Sequence, residues 1–332
     1  MRTVPPHLEI IGRGVVFPGG LGVDCLANCC PKEPELEKTL ATPQQSFPVR
    51  KINLNWDKLA RWRSEARLRR ASPLAFYLAE AANQAMSSLG DIPLERVGLV
   101  CALGTGSINF SRKFYQGILS RGRHFASPAL FPETVYNSPT SHIAALLNIK
   151  GACTTVVGDE TAWVDALRVA QVWLACHTVE AVLVLAGEEL DPIALDAFGC
   201  AGWFRRGMVA SEGAAAVLVR QSSESTIGRV RIPDYSVSFR SPEEQRMAWE
   251  KVIGAQEAGI ETFLPSNIHP ADLCEKYPTT QGLSRLGPDW GSAFTASTAW
   301  GFLQAYDERM EGSPFHLLIP GSTACVTSVT FL

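Results

Sequence analysis

Apolar runs of strand length alternate with stretches at helical spacing along the first 220 residues. Leu8 to Phe17 reads as a strand closed by the turn Pro18-Gly19-Gly20. Residues 21–70, rich in Pro, Arg and Lys, are expected to form an irregular surface excursion. Ser72-Pro73 opens a predicted helix to Leu89, with a capping serine and a proline in the first turn. A strand over Arg96 to Leu103 runs into Gly104-Thr105-Gly106, and Ser138-Pro139 starts a helix ending near Asn148. Cys153 to Gly158 is β-branched and apolar, as a buried strand should be. From Thr161 the spacing turns helical, with Trp163, Ala166, Leu167, Ala170, Val172, Trp173 and Leu174 on one broad face. Strands follow over Ala181 to Ala186 and Ala214 to Val219. The alternation predicts an α/β fold, a buried sheet with helices on both faces.

A polar stretch over residues 221–228 reads as a linker, and beyond it the series returns in shorter form. Strands are expected over Val230 to Phe239 and Ile260 to Leu264, with helices over Pro242 to Ala258 and Ala293 to Met310. A strand pair closes the chain between Phe315 and Phe331. Two comparable series imply internally duplicated α/β halves, an N-terminal one over residues 1–225 and a shortened C-terminal one over 226–332.

Composition narrows the function classes. The chain has 332 residues, 46% hydrophobic and 19% charged, so it can bury a large core. A formal net charge of −3 argues against nucleic acid or an anionic membrane as partner. No run of 18 apolar residues occurs, so no membrane span is expected. The nine cysteines show no paired metal-ligand spacing, and an odd count reads as reduced thiols in a cytoplasmic setting. Cys153 and Cys325 are expected to be inert packing thiols, and no metal or cofactor is expected.

The junction Gly158-Asp159-Glu160 carries the most chemistry. Free N–H groups and the dipole at a helix start favour negative charge, and would lower the pKa of a nucleophile placed there. This chain has two acids at that point. The dipole argues for a lowered Glu160 pKa, and the plainest role for both acids is to complement the helix start.

Five segments, taken together, resemble the thiolase-like condensing enzymes, specifically the β-ketoacyl synthases. Ile10-Ile11-Gly12-Arg13-Gly14-Val15-Val16-Phe17-Pro18-Gly19-Gly20 is similar to that family's first strand, I-T-G-x-G-V-V-x-P-x-G. Arg96 to Val100 with Gly104-Thr105-Gly106 resembles its next strand, and Val182 to Glu188 the strand ending in A-G-G-A-E. Arg206-Gly207-Met208-Val209 with Ser211-Glu212-Gly213-Ala214 resembles R-D-G-F-V-x-x-E-G-A. Gly321-Ser322-Thr323-Ala324-Cys325 takes the place of the closing G-F-G-G-T-N turn. The resemblance implies a thiolase-like fold in layered α-β-α-β-α arrangement, and places the Ser211–Ala214 motif beside the strand after the active-site helix.

Laid on T-V-x-T-A-C, Thr155 to Glu160 puts Glu160 at the position of the acyl-accepting cysteine. The two site histidines are replaced by Ser266 and Ser292, with His269 a candidate displaced ligand. A carboxylate cannot form the thioester that condensation needs. The resemblance therefore implies a catalytically degenerate subunit of chain-length-factor type. Such a subunit pairs with an active ketosynthase and shapes the acyl tunnel in polyketide, polyene or fatty-acyl synthesis, the chains reaching the partner on an acyl carrier protein. Family dimers join through the strand before the junction, which here points to Thr155 and Val157, with Phe131 and Tyr136 as tunnel or interface residues. Two other readings stay open. One is an acyltransferase, hydrolase or decarboxylase acting on carrier-bound thioesters through Glu160. The other is a non-catalytic structural homodimer.

Overall fold

The computed structural model describes residues 7–39, 45–222, 228–257, 259–265, 283–310, 313–323 and 325–332. The chain opens with β1 (Leu8–Phe17), β2 (Gly20–Leu21), α1 (Val23–Asn28), β3 (Glu35–Lys38), β4 (Ser46–Arg50) and α2 (Asp57–Ser64). Residues 21–70 thus hold regular structure where an irregular excursion was expected. These elements are short, and the single apolar residue of β3, Leu36, is exposed, so no apolar period marks that strand.

The main series continues with α3 (Pro73–Met86), β5 (Val97–Leu103), α4 (Ile108–Arg121), α5 (Ser138–Leu146), β6 (Cys153–Val157), α6 (Ala162–Ala175), β7 (Ala181–Glu188), α7 (Pro192–Cys200), β8 (Ala210–Ser211) and β9 (Gly213–Gln221). The later part has β10 (Val230–Arg231), β11 (Val237–Ser238), α8 (Pro242–Gly254), β12 (Glu261–Pro265), β13 (Ser284–Leu286), α9 (Phe294–Met310), β14 (Phe315–Pro320) and β15 (Cys325–Phe331). The single strand expected from Val230 to Phe239 is two short ones. The expected 225/226 boundary adjoins residues 223–227, which lie outside the described residues.

Strand order shows the duplication. The first half runs β1-β9-β7-β5-β6, antiparallel across the first two pairings and parallel across the last two. The second runs β10-β15-β14-β12-β13 with the same senses. Leu8 of β1 pairs with Val230 of β10 and joins the halves into one sheet.

Alternation along the strands separates the layers. Leu99, Cys101 and Leu103 of β5 face α3 and α5, whereas Val100 and Ala102 face a middle layer holding α6 and α9. Leu317 and Phe331 close the far side of that middle layer. Leu318 and Val326 point outward, into a cluster with Trp249 of α8. The order is helix, sheet, helix, sheet, helix. The α3 helix is alanine-rich because it lies directly on β1: a Cβ at Gly12 or Gly14 would run into the carbonyls of Ala85 and Ala81.

Candidate functional site

Strand β6 delivers the junction. Gly158 N–H donates to the Leu103 carbonyl (3.1 Å), so the chain leaves β6 beside the end of β5. Asp159 and Glu160 are then buried, 8% and 9% exposed, before α6 begins at Ala162. Asp159 Oδ1 accepts from Thr161 N (3.1 Å) and Thr161 Oγ1 (2.8 Å), closing the helix start. Its Oδ2 accepts from Thr323 N (3.1 Å) and Thr323 Oγ1 (2.9 Å), and Glu160 Oε2 accepts from Ser322 N (2.8 Å). Both acids therefore tie the start of α6 to the turn between β14 and β15. Gly321 allows the approach, since a side chain there would strike the Asp159 carboxylate.

Burial outweighs the dipole at Glu160. Desolvation and the adjacent Asp159 charge push its carboxyl up to about 7, against the Ser322 hydrogen bond that favours the ionised form. The expected lowering is thus corrected. Glu160 has a proton affinity in the range of an acid–base group at neutral pH, but its carboxylate is turned into protein and held by a backbone amide.

A second set of acids holds the loops nearby. Glu188, at the end of β7, accepts from Gly104 N and from Thr105 N (2.9 Å) and Oγ1 (2.6 Å). Glu189 accepts from Leu74 N (3.2 Å) and Asn109 N (2.9 Å), and Asp191 takes Arg112 Nε at 2.8 Å while capping α7. Burial pushes both Glu188 and Glu189 up to about 7. The Ser211–Ala214 motif lies beside β7, with Gly187 opposite Ala214 and Glu188 opposite Gly213.

The remaining candidates divide into separate places. Thr155, Val157 and Tyr136 line one open groove of about 500 Å³ with Asn137, Thr140, Ser141, Cys153 and Thr154. Thr140 and Thr155 hydroxyls meet at 2.7 Å, and Tyr136 lies over Gly106, where any side chain would strike the ring. Phe131 is exposed and packs on Phe114 with ring centroids 5.9 Å apart. Ser292 bridges to Ala210 through its backbone, exchanging 2.8 Å hydrogen bonds with Val209 and Ser211. Ser266 and His269 lie outside the described residues.

Strand β6 is a correction. It was expected to be buried with an inert core thiol, yet it forms an edge of the sheet, and Cys153 and Val157 are exposed. A five-residue apolar run reads alike whether neighbours cover it or not. Sequence reasoning also missed Asp159–Thr323 and Gly321, although the closing turn had been singled out, because their partners are over 160 residues apart. It missed α4 entirely.

Among the described residues no group of three His, Cys, Asp or Glu side chains is arranged to hold a metal ion, and the described cysteines are free. No helix among them is long and apolar enough to cross a membrane.

The sequence profile described as "Beta-ketoacyl synthase, N-terminal domain" matches residues 36–225, more than half of the chain. The chain belongs to the β-ketoacyl synthase family. No curated protein matches it by sequence. Among solved structures it is similar to the ishigamide ketosynthase/chain length factor, at TM-score 0.69 and 17% identity, covering 98% of this chain and 99% of that one. It is also similar to the ketosynthase ApeO in complex with its chain length factor ApeC from Xenorhabdus doucetiae, at TM-score 0.70 and 13% identity over 100% of both chains. A third is AntDE:AntF, a type II polyketide synthase acyl-carrier protein in complex with its ketosynthase bound to the hexaketide, at TM-score 0.73 and 13% identity over 99% of both. At these identities the likeness concerns the fold, and it bears out the thiolase-like architecture implied by the sequence.

Proposed function

We propose that this chain is a catalytically degenerate ketosynthase-like subunit, a chain length factor. It pairs with an active β-ketoacyl synthase in the cytoplasm and shapes an acyl tunnel for polyketide, polyene or fatty-acyl synthesis. The observation that carries the reading is Glu160 at the family's cysteine position, with its carboxylate held by Ser322 N–H. A buried carboxylate anchored in this way has no thiolate to accept an acyl chain and is spent on holding a turn. The open edge of β6, with exposed Val157, Phe131 and Tyr136 nearby, supports pairing through this face. Growing chains reach the partner on an acyl carrier protein. We place the division into halves at 225/226.

Co-expression with an active ketosynthase of the same organism, read by native mass spectrometry and product analysis, tests this. A heterodimer is expected, with product length changed by Phe131→Ala or Tyr136→Ala. Failure to associate, together with unchanged product length, removes the reading.

One observation favours the second reading: burial brings the Glu160 carboxyl to about 7, where proton exchange is easiest at neutral pH. Under it the chain is an acyltransferase, hydrolase or decarboxylase of carrier-bound thioesters. Turnover of malonyl- or acyl-carrier substrates by the purified chain, lost in Glu160→Ala, would replace the first reading with this one.

A further inference from the structure

Three of the nine cysteines fall within residues 25–30, on and just after the short helix α1. Cys29 N–H donates to the Cys25 carbonyl at 2.9 Å, so the two residues close the last turn. Residues four apart on a helix lie one above the other, and the Cys25 and Cys29 thiols share a hydrogen bond. Both residues are half-buried, packed against the cluster that holds Phe17, Leu26 and Trp290. Strand β2 lies close by: a Cβ at Gly20 would come within 3.4 Å of Cys25 Sγ. Cys29 already has extended backbone, so the exposed Cys30 after it points its side chain away.

This spacing does not suit a disulfide. Helical residues four apart hold their Cβ atoms about 5–6 Å from each other, against roughly 3.5–4.5 Å across a disulfide. One ion with two metal–sulfur bonds, each roughly 2.3 Å as in zinc thiolates, spans the gap without unwinding the turn. Thiolates select soft ions, and Cu(I) is the one that two of them can satisfy. Zinc takes four ligands, and among the described residues no group of three His, Cys, Asp or Glu is arranged for a metal. Helix α1 has six residues and no side-chain cap at its start, so a bridge across its last turn supplies a closure that it lacks.

We propose that Cys25 and Cys29 form a two-thiolate clamp for a soft thiophilic ion, Cu(I) by class. Binding breaks two S–H bonds and forms two Cu–S bonds; both protons pass to solvent and the ion stays Cu(I). Strands β9, β7 and β5 separate β1, on which α1 packs, from β6, so the clamp is independent of any pairing at that edge.

Anaerobic titration of the full chain with Cu(I), against a chromophoric Cu(I) chelator, tests this beside the variants C25S, C29S and C30S. One tightly held ion per chain is expected, with two sulfur ligands by X-ray absorption. C25S and C29S should each weaken binding on the order of 100-fold, because the second thiolate acts at high effective concentration, and C30S by no more than about twofold. Phenylarsine oxide gives a reading on the wild-type chain that no variant's folding can disturb. Two As–S bonds form, the oxygen leaves as water with both thiol protons, and arsenic stays trivalent. The adduct should survive excess glutathione and map to the tryptic peptide over residues 14–32, whose cysteines are Cys25, Cys29 and Cys30. Absence of tight Cu(I) binding by wild type, retained affinity in C25S or C29S, an equal loss in C30S, or an arsenical carried elsewhere instead of on that peptide overturns the inference.

Discussion

The two central helices begin at corresponding places in the two halves, and their starts are built in opposite ways. Before α6 stand two buried acids, bonded to the turn at residues 321–323. At the start of α9 stands Phe294, with φ of 41° and its ring packed edge-on against the stacked pair Phe198 (5.4 Å) and Trp203 (5.8 Å). One start is held by hydrogen bonds to a distant turn, the other by ring packing that keeps a non-glycine residue in a left-handed conformation. A duplicated fold fixes where each helix begins but leaves the chemistry of each start free. That freedom lets the two starts differ in chemistry without loss of the helix behind either.

Removing the aromatic anchor should cost most. Phe294→Ala is expected to lower unfolding free energy by about 3 kcal/mol, measured by denaturant titration. Phe294→Gly should recover roughly 1 kcal/mol of that loss, because glycine accepts the positive φ. Equal losses in the two variants would mean that the backbone at 294 is not strained.

At the acidic start the effect depends on pH. The Glu160 carboxyl titrates near 7 in the fold against 4.5 for an ordinary glutamate, so the folded chain binds the proton more tightly. Its contribution is fully present below the unfolded value and is lost as pH rises through the folded one. Glu160→Gln should therefore stabilise the chain at pH 8 by roughly 1–3 kcal/mol relative to its effect at pH 4.5. Thermal melts across that range check this, and a pH-independent difference would remove Glu160 as the titrating group.

Asp159→Ala frees Thr161 and Thr323 together and should cost about 1–2 kcal/mol. Hydrogen exchange at residues 321–323 should quicken alongside that at the start of α6. The smallest change is expected at the β6 edge, away from both starts. Thr155→Val removes the hydroxyl opposite buried Thr140 and should cost about 0.5–1 kcal/mol.

Much of the fold was legible because apolar period reports burial directly. β5 and β7, buried along their whole length, read as strands, and α9 was placed to within a residue of its start. β3, with Leu36 as its single apolar residue, had no period to read and was missed, as was α4, which has no fully buried residue. At the site, the Gly158-Asp159-Glu160 junction stood out by its residue types, and the direction of the Glu160 shift did not. The dipole argument uses neighbours in sequence, whereas burial depends on what the rest of the chain lays over the carboxylate.

By itself, the amino-acid order determined the two successive α/β series and the acidic junction Gly158-Asp159-Glu160 between a strand and a helix. Those properties are local, set by side-chain type and spacing. Only tertiary structure decided that β6 lies at an edge, that a turn 162 residues away donates a hydrogen bond to Glu160, and that Tyr136, Thr155 and Val157 line one open groove. Strand order and long-range contact come from the packing of the whole chain, and no window of sequence contains them.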